Sequence, residues 1–163
     1  MRDKDALFQA FSQLLSMLPG KFGSFFRVCL HRWLCNDVSI DIYIGFGVLL
    51  SQRNMDISDG VYIGPQSNIG SCYIGENCLL GSGVHVLSGK NQHGFNEIDV
   101  PIKDQKGELT KVQIGKNCWI GNGAIIMADL GDNSIVAAGS VVTKAFPAGS
   151  IVGGNPAKLI RSR

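Results

Sequence analysis

The sequence repeats every six residues, a period that neither an α-helix (near 3.6) nor a plain β-strand (near 2) produces. In the stretch KVQIGKNCWIGNGAIIM an aliphatic residue recurs at Ile114, Ile120 and Ile126, and glycine follows the first two. The same frame starts at Ile57, breaks after Val86 and resumes at Ile114. Six residues suffice for one short strand and one corner, so three units make one triangular coil.

Each unit has two positions that are expected to face the inside of such a coil. The first residue is aliphatic and stacks in a column with its counterparts. The fifth is small or modestly apolar, because it lies close to a corner. We therefore predict an all-β solenoid, a parallel β-helix with a dry core, in preference to a β-sandwich with glycine turns. The fifth-position residues are Val61, Ser67, Cys78, Val84, Cys118, Ala124, Ser134 and Ser140.

Composition agrees with a folded chain of many regular corners. Glycine contributes 21 of 163 residues while 45% of the chain is hydrophobic, which argues against disorder. A net charge of +2 gives no basic field for nucleic acid. The five cysteines lack CxxC spacing, so we expect neither a zinc site nor a disulfide scaffold, and a reducing compartment, the cytoplasm. Neither a signal peptide nor an apolar run of about 18 residues is apparent.

The first part of the chain has a different pattern. Residues 1–36 are predicted to form a helical segment, and residues 37–163 the solenoid. Within the former, residues 3–18 place apolar side chains on one helical face that ends at Pro19, and residues 21–35 form a second helix rich in aromatic residues.

Two roles stay open for these helices. They cover the open first coil or pack on a neighbouring subunit, as a solenoid end requires. Alternatively, residues 3–35 associate peripherally with the inner face of a membrane. His31, which lies in the second helix, is expected on an exposed face.

One long interruption separates the two parts of the repeat. Residues 87–111 are polar and carry Gly89, Gly94 and Gly107 for turns. A loop of this length in a compact solenoid is usually functional or disordered. We expect it to protrude from the coils and reach towards a neighbouring subunit.

The units IGENCLLGSGV and IGKNCWIGNGAII, the run AGSVVTK (138–144) and the turn GNPAK (154–158) resemble the hexapeptide-repeat acyltransferases, in particular their sugar and polysaccharide O-acetyltransferase branch. The resemblance covers roughly residues 38–163. It implies a left-handed β-helix and a homotrimer with sites at subunit interfaces. It also implies acetyl transfer from acetyl-CoA to a hydroxyl of a small-molecule or lipid-linked sugar. The chain departs from the family at MAD (127–129), where the commoner form has a full unit, so no function is carried onto that stretch.

The resemblance also assigns roles to residues. His93, in the loop, is the general base that takes the proton of the acceptor hydroxyl during direct transfer in a ternary complex. Substrate-proximal candidates are His85, Gln92, Glu97 and Asp99. The donor-binding residues implied are Trp119, Asn122, Ala138, Gly139, Thr143, Lys144, Lys158 and Arg161, with the cations directed at the phosphates of the donor.

The partner that orients His93 is left open between three acidic loop residues, Glu97, Asp99 and Glu108. Other functions are also left open. A xenobiotic acetyltransferase of the streptogramin or chloramphenicol type shares the scaffold, and a non-catalytic assembly protein needs no donor. A zinc carbonic anhydrase needs three histidines around one metal, but the solenoid region has only two, so no metal is expected.

Overall fold

The computed structural model describes residues 2–163, with side chains from residue 6 onward. A two-helix N-terminal segment precedes a parallel β-solenoid of about six coils, and the predicted fold class, a left-handed β-helix with one long loop, is confirmed. Among the described residues, no helix has both the length and the apolar character needed to cross a membrane.

Three narrow sheets run along the solenoid, one on each side of the triangular coil. All strand pairs are parallel except β15 with β16. Sheet A contains β1 (Asp37–Val38), β4 (Asp56–Ile57), β7 (Cys72–Ile74) and β10 (Val112–Ile114). Sheet B contains β2 (Tyr43–Ile44), β5 (Tyr62–Ile63), β8 (Leu79–Leu80), β11 (Trp119–Ile120), β13 (Ile135–Val136), β15 (Ser150–Gly153) and β16 (Lys158–Ser162). Sheet C contains β3 (Leu49–Leu50), β6 (Asn68–Ile69), β9 (His85–Val86), β12 (Ile125–Ile126) and β14 (Val141–Val142).

The core is a set of aliphatic columns, as the repeat predicted. In sheet B each inward residue pairs in register with the one in the next coil, and all are buried. The small fifth-position residues are buried as well, so this prediction is confirmed. The shortened stretch MAD still closes a coil, because Leu130 bridges Ile114 on one side and Phe146 on the other. The sheet B column is Ile44, Ile63, Leu80, Ile120, Val136 and Val152.

The corners explain the glycine and asparagine content. At the corner between sheets B and C, Gly123 and Gly139 have φ of 67° and 68°. At the corner between sheets A and B, Asn117 and Asn133 have φ of 54° and 59°, and the Asn117 side-chain amide donates to Asn133 Oδ1 at 2.7 Å. Glycine and asparagine are the residues that tolerate this left-handed region most readily.

Helices α1 (Arg2–Ser16) and α2 (Gly20–Leu34) form a hairpin that packs on the first coil, α1 against β3 and α2 against β1 and β2. Most of the apolar stripe of residues 3–18 does not form the packed face: Phe8 is buried, whereas Leu7, Phe11 and Leu14 are exposed. The side chains turned inward are mostly small or polar, and the expectation that His31 is exposed was wrong, because its side chain is fully buried. The buried polar residues of the hairpin are Ser12, Ser16, Ser24, Arg27 and His31.

The reason for this orientation is the open edge of the first coil. Strand β2 is the edge strand of sheet B, so one side of its backbone lacks a neighbouring strand. The N–H of Ile44 donates to Ser24 Oγ at 3.1 Å, and Arg27 Nε donates to the Ile44 carbonyl oxygen at 3.0 Å. Buried backbone groups need partners, so a polar helix face is the one that can cover this edge.

Candidate active site

The long loop leaves sheet C after β9 and returns to sheet A at β10, so it projects from the edge between these two sheets. Its two arms lie side by side. The N–H of Glu108 donates to the Asn91 carbonyl oxygen at 2.7 Å, and the N–H of Thr110 donates to the Ser88 carbonyl oxygen at 3.0 Å. A 3-10 turn, Ile102–Asp104, reverses the chain between the arms. These contacts give the polar loop a defined shape.

His93 lies on the first arm of this loop. Its exposed imidazole lines a cavity of about 610 Å³ together with Asn91, Phe95, Lys106 and Glu108. A protruding loop with an accessible histidine is a suitable place for proton transfer to or from a bound molecule.

Close approach of the two arms depends on Gly107. A Cβ atom at Gly107 would lie 2.0 Å from the carbonyl oxygen of Gln92 and 2.7 Å from the backbone nitrogen of His93. Only glycine permits this contact. Gly107 therefore fixes the position of the His93 backbone.

The three acidic residues considered as partners of His93 occupy different places. Glu108 lines the His93 cavity. Glu97 and Asp99 are exposed and do not line it. The backbone of Glu97 is held by Gln105, whose Oε1 accepts from its N–H at 3.1 Å and whose Nε2 donates to its carbonyl oxygen at 2.7 Å. The geometry favours Glu108 among the three.

The remaining substrate-proximal candidates differ in their surroundings. Gln92 donates from Nε2 to the Gly89 carbonyl oxygen at 3.0 Å, within the start of the loop. His85 lies on the outer face of sheet C, between Asn68 and Ile125, and is exposed. It is one residue before the end of β9, so it faces solvent near the base of the loop.

A second groove of about 360 Å³ runs from the base of the loop to the last coils. Two residues predicted to bind the donor, Thr143 and Lys144, line it with Lys90 and Asp129. Asp129 Oδ1 accepts from the N–H of Gln113 at 2.8 Å, which fixes the carboxylate against the coil. The groove therefore joins the His93 loop to a stretch of the predicted donor site.

The other predicted donor-binding residues lie elsewhere. Trp119, Asn122, Ala138 and Gly139 are at or next to the corner between sheets B and C, stacked in successive coils. Asn122 Oδ1 accepts from the N–H of Ser82 at 3.0 Å, and the Asn122 carbonyl oxygen accepts from the N–H of Gly139 at 2.8 Å. Trp119 is 53% exposed.

Lys158 and Arg161 lie on the exposed strand β16, which runs antiparallel to β15 across sheet B. Lys158 pairs with Gly153 next to the corner between sheets B and C, and Arg161 pairs with Ile151 further along the strand. The line of small corner residues thus ends near Lys158.

Sheet C separates these two groups within one chain. Between Gly139 and Thr143 the chain advances four nearly extended residues, about 13 Å. His93, Thr143 and Lys144 lie on one edge of sheet C, and the stacked corner residues lie on the other. A single chain therefore does not bring all the predicted site residues together.

Some residues of the cavity were not singled out by the sequence. Asn91, Phe95 and Lys106 line it with His93. The two glycines Gly94 and Gly107 were the available signal, because glycine marks a close approach of backbones. The pattern offered no way to tell which side chains the approach would bring together.

Cys78 and Cys118 lie inside the coil at the corner between sheets A and B, on another side from the His93 loop. The N–H of Cys118 approaches Cys78 Sγ at 3.4 Å. The hydrogen bond between the two side chains, together with burial, raises the pKa of Cys78, and the same hydrogen bond lowers the pKa of Cys118. The buried pair has no access to the cavity.

Two family models match the repeat region. Residues 54–88 match the model described as bacterial transferase hexapeptide (six repeats), and residues 111–144 match the hexapeptide repeat of succinyl-transferase. The chain belongs to the hexapeptide-repeat acyltransferase family. The gap between the two matches contains most of the His93 loop, which interrupts the family repeat.

Curated relatives in the family have different stated substrates. WbbJ of Escherichia coli, a candidate lipopolysaccharide biosynthesis O-acetyl transferase, is 28% identical over 124 residues, which cover 72% of this chain and 62% of WbbJ. A chloramphenicol acetyltransferase of Agrobacterium fabrum is 35% identical over 118 residues, covering 63% of this chain and 56% of that protein. The chain thus spans about three fifths of the length of these relatives.

A solved structure has the same fold. Galactoside acetyltransferase in complex with coenzyme A superposes with a TM-score of 0.78 over 97% of this chain and 82% of that chain, at 22% identity. At this level of identity the similarity establishes the shared architecture.

Proposed function

We propose that the protein transfers an acetyl group from acetyl-CoA to a hydroxyl of a sugar or surface-polysaccharide precursor. The observation that carries this proposal is the exposed His93 beside Glu108 in the cavity of the protruding loop. The family assignment supplies the transfer chemistry. The coenzyme A complex of galactoside acetyltransferase and the stated role of WbbJ support the donor and the acceptor class.

In the proposed reaction, an imidazole nitrogen of His93 accepts the proton of the acceptor hydroxyl as its oxygen bonds to the thioester carbonyl carbon. The resulting tetrahedral species collapses with cleavage of the carbon–sulfur bond. Coenzyme A leaves as a thiolate that takes the proton from the imidazolium. Transfer is direct, so no acyl-cysteine forms, in keeping with the burial of Cys78 and Cys118.

Glu108 is proposed as the positioning residue for His93. It lines the same cavity and lies on the opposite arm of the loop, which is tied to the first arm through Asn91. A carboxylate that accepts from one imidazole nitrogen holds the ring and leaves the other nitrogen free to take a proton. Glu97 and Asp99 do not line the cavity and are not assigned this role.

The donor is proposed to bind along the corner between sheets B and C. Its pantetheine arm would follow Trp119, Asn122, Ala138 and Gly139, and its phosphates would meet the cations of β16, Lys158 and Arg161. Because this corner lies across sheet C from His93, the active site needs the loop of one chain and the corner of another. Thr143 and Lys144 would then lie on the loop side of the shared cleft.

A homotrimer satisfies this requirement, because closed cyclic symmetry gives every chain one neighbour on each side. The faces of the solenoid support such an assembly. The outward residues of sheet A include Asp37, Asp56 and Gln113. From β2 to β15 the outward residues of sheet B are instead apolar or aromatic: Tyr43, Tyr62, Leu79, Trp119, Ile135 and Ile151. Only the last strand, β16, carries the cations Lys158 and Arg161.

The column on sheet B runs parallel to the solenoid axis, so an interface that covers it places the chains side by side. The apolar loop residues Phe95 and Ile98, which are 71% and 96% exposed, are suitable groups to lie over a neighbouring chain. Cyclic symmetry then puts the first coils of all three chains at the same end of the assembly.

The second candidate, a chloramphenicol-type acetyltransferase, is favoured by the similarity to the Agrobacterium enzyme. The lining of the His93 cavity favours a sugar instead. Asn91, Asn96, Lys106 and Glu108 offer polar groups, and Phe95 is the one aromatic side chain in that lining. A polyhydroxylated acceptor matches these groups better than a nitroaromatic one.

The test combines acetyl-CoA binding, by calorimetry, with release of thiol in the presence of free sugars, nucleotide sugars, lipid-linked sugars and chloramphenicol-type antibiotics. Acceptor-dependent release by the wild type, lowered by a factor of about 10² to 10⁴ in His93→Ala, supports the proposal. Lys103→Ala, which changes a loop residue outside the His93 cavity, is the matched control. No binding of acetyl-CoA, or equal rates in wild type and His93→Ala, would overturn it.

A further inference from the structure

The outer face of the helical hairpin is unusually apolar for a surface. Its exposed large side chains are Leu7, Phe11, Leu14, Met17, Phe22, Phe25, Phe26 and Trp33, and Trp33 is 82% exposed. We call this surface the hairpin face. On α1 the spacing of Leu7, Phe11 and Leu14 is that of a single helical stripe. Contiguous apolar surface of this kind marks a site of interaction.

Within the hairpin face, the two helices form a groove between them. Leu7 and Phe11 of α1 and Leu30 and Trp33 of α2 line a depression of about 390 Å³. At the other end of the hairpin, the rings of Phe22 and Phe26 pack edge to face, 4.8 Å apart. The apolar surface thus extends along α1 from Leu7 and along α2 from Phe22 to Trp33.

The fold does not need this surface to be apolar for its own packing. The opposite, polar face of the hairpin covers the edge of the first coil through Ser24 and Arg27, and the N–H of Gly47 donates to the Ser16 carbonyl oxygen at 2.8 Å. Exposed apolar side chains cost solubility, so a structural role inside one chain does not account for them. An external occupant does.

Charge identifies the kind of occupant. The two helices contain five cations, Arg2, Lys4, Lys21, Arg27 and Arg32, and two carboxylates, Asp3 and Asp5, both at the start of α1. Arg27 is buried, while Lys21 and Arg32 are exposed near the two ends of α2. Phenylalanine, leucine and tryptophan flanked by cations is the pattern of a helix that lies in the interface of an anionic bilayer.

We propose that the hairpin face docks flat on an anionic lipid surface, with the solenoid projecting into water. Each helix has 15 residues, about 22 Å, which is short of the roughly 30 Å of a hydrocarbon core, so the attachment is peripheral. In the proposed side-by-side trimer three hairpin faces share one end, and their simultaneous contact strengthens binding. Docking does not depend on acetyl transfer.

The first test is cosedimentation of the full chain with vesicles of phosphatidylcholine alone or with about 30% phosphatidylglycerol. Binding is expected with the anionic vesicles, and salt should weaken it by screening Lys21 and Arg32. The double variant Phe25→Ser/Trp33→Ser should bind about tenfold or more weakly. Ile102→Ser is the matched control, because it removes a side chain that is 59% exposed on the loop instead.

Tryptophan emission locates the contact. The chain has two tryptophans, so Trp119→Phe leaves Trp33 as the reporter and Trp33→Phe leaves Trp119. Anionic vesicles should shift the emission of the former variant to shorter wavelength and leave that of the latter unchanged. Thermal unfolding of each variant checks that it is folded.

Absence of binding to anionic vesicles would overturn the proposal, as would a shift in Trp119 emission instead of Trp33 emission. So would an assembly larger than a trimer that forms without lipid and is lost in the double variant, because the hairpin face would then be covered by a second copy. Vesicle binding is read without acceptor or acetyl-CoA. A negative acetyltransferase assay therefore does not affect the vesicle-binding result. Equally, an absence of vesicle binding does not affect the acetyltransferase result.

Discussion

Arg27 joins the helical hairpin to the solenoid through Ile44. Its Nε donates to the Ile44 carbonyl oxygen at 3.0 Å, and its Nη1 donates to the carbonyl oxygens of Leu15 and Leu18 at 2.9 and 2.7 Å. The last carbonyls of a helix lack intrahelical partners, and so does the edge of a sheet. One buried guanidinium satisfies both sets of groups, which explains why a cation occupies a fully buried position.

Arg27→Met should therefore destabilise the chain by about 2 to 4 kcal/mol, because several buried acceptors lose their donor at once. Urea unfolding measures this change. Arg32→Met is the matched control. Arg32 is exposed and makes one long contact, 3.4 Å to the Val38 carbonyl oxygen, so its loss should cost about 0.5 kcal/mol or less. Equal losses of unfolding free energy in Arg27→Met and Arg32→Met would show that the Arg27 contacts contribute little to stability.

His31 should make stability depend on pH. Burial, and secondarily the charge of Arg27, lower the pKa of His31 from 6.5 to about 4. Between these values the unfolded chain binds the proton and the folded chain does not, so stability falls as the pH drops from about 6.5 towards 4. The full effect is about 3 kcal/mol, and it is absent above pH 7.

The comparison is between the wild type and His31→Phe, unfolded in urea at several pH values. The carboxylates are common to both proteins, so the difference in slope isolates His31. The slope between pH 4 and 6.5 should be smaller in the variant, whatever its absolute stability. Parallel curves would mean that His31 binds its proton as readily in the folded chain as in the unfolded chain.

Gly107→Ala should loosen the His93 loop. The added Cβ would lie 2.0 Å from the Gln92 carbonyl oxygen, so the arms must separate. We expect trypsin to cleave at Lys103 and Lys106 roughly tenfold faster and acetyl transfer to fall by a factor of about 10 to 100, since misplaced catalytic groups cost rate.

Gly149→Ala is the control for that variant. Gly149 has φ of 71° and open space around its Cα, so alanine there costs about 1 to 2 kcal/mol of stability through backbone strain alone. It lies at the corner between sheets A and B, away from the loop. Faster loop cleavage in both variants would indicate a global loss of stability instead.

Leu79→Asp should dissociate the proposed trimer. Leu79 lies in the middle of the apolar column on sheet B and is 45% exposed in the single chain. A buried, unpaired carboxylate at an interface is costly. Sedimentation velocity should show three times the chain mass for the wild type and a smaller species for the variant. Tyr73→Asp changes a side chain of similar exposure, 37%, in the same coil but on sheet A, and should leave the mass unchanged.

The fold could be predicted because the repeat is a local property that is copied along the chain. Ile114, Ile120 and Ile126 needed no knowledge of distant residues to be placed inside, since each unit meets the same environment as the next. Cys78 and Cys118 were likewise placed inside by their position in the unit. The sites His93 and Trp119 were indicated only by resemblance, and their roles stay predictions.

The helical hairpin shows what the sequence alone did not determine. Its apolar stripes were visible, but the side that faces the solenoid depends on what it must cover. The open edge of β2 requires hydrogen-bond donors and acceptors, so Ser24 and Arg27 turn inward and Trp33 turns outward. His31 lies on the same inward face, where its ring packs edge to face on Phe8 at 5.8 Å, against the expectation from its helical position.

The sequence by itself determined the coil, the inward columns and the interruption, because these follow from a six-residue period. Only the tertiary structure decided that Glu108 shares the cavity of His93 while Glu97 does not, and that Asn122 and Thr143 lie on opposite edges of sheet C. Such relations depend on how a loop folds back and on which corner each residue occupies. A periodic sequence specifies the shape of one coil, whereas the contacts across coils and loops arise only when the chain is folded in three dimensions.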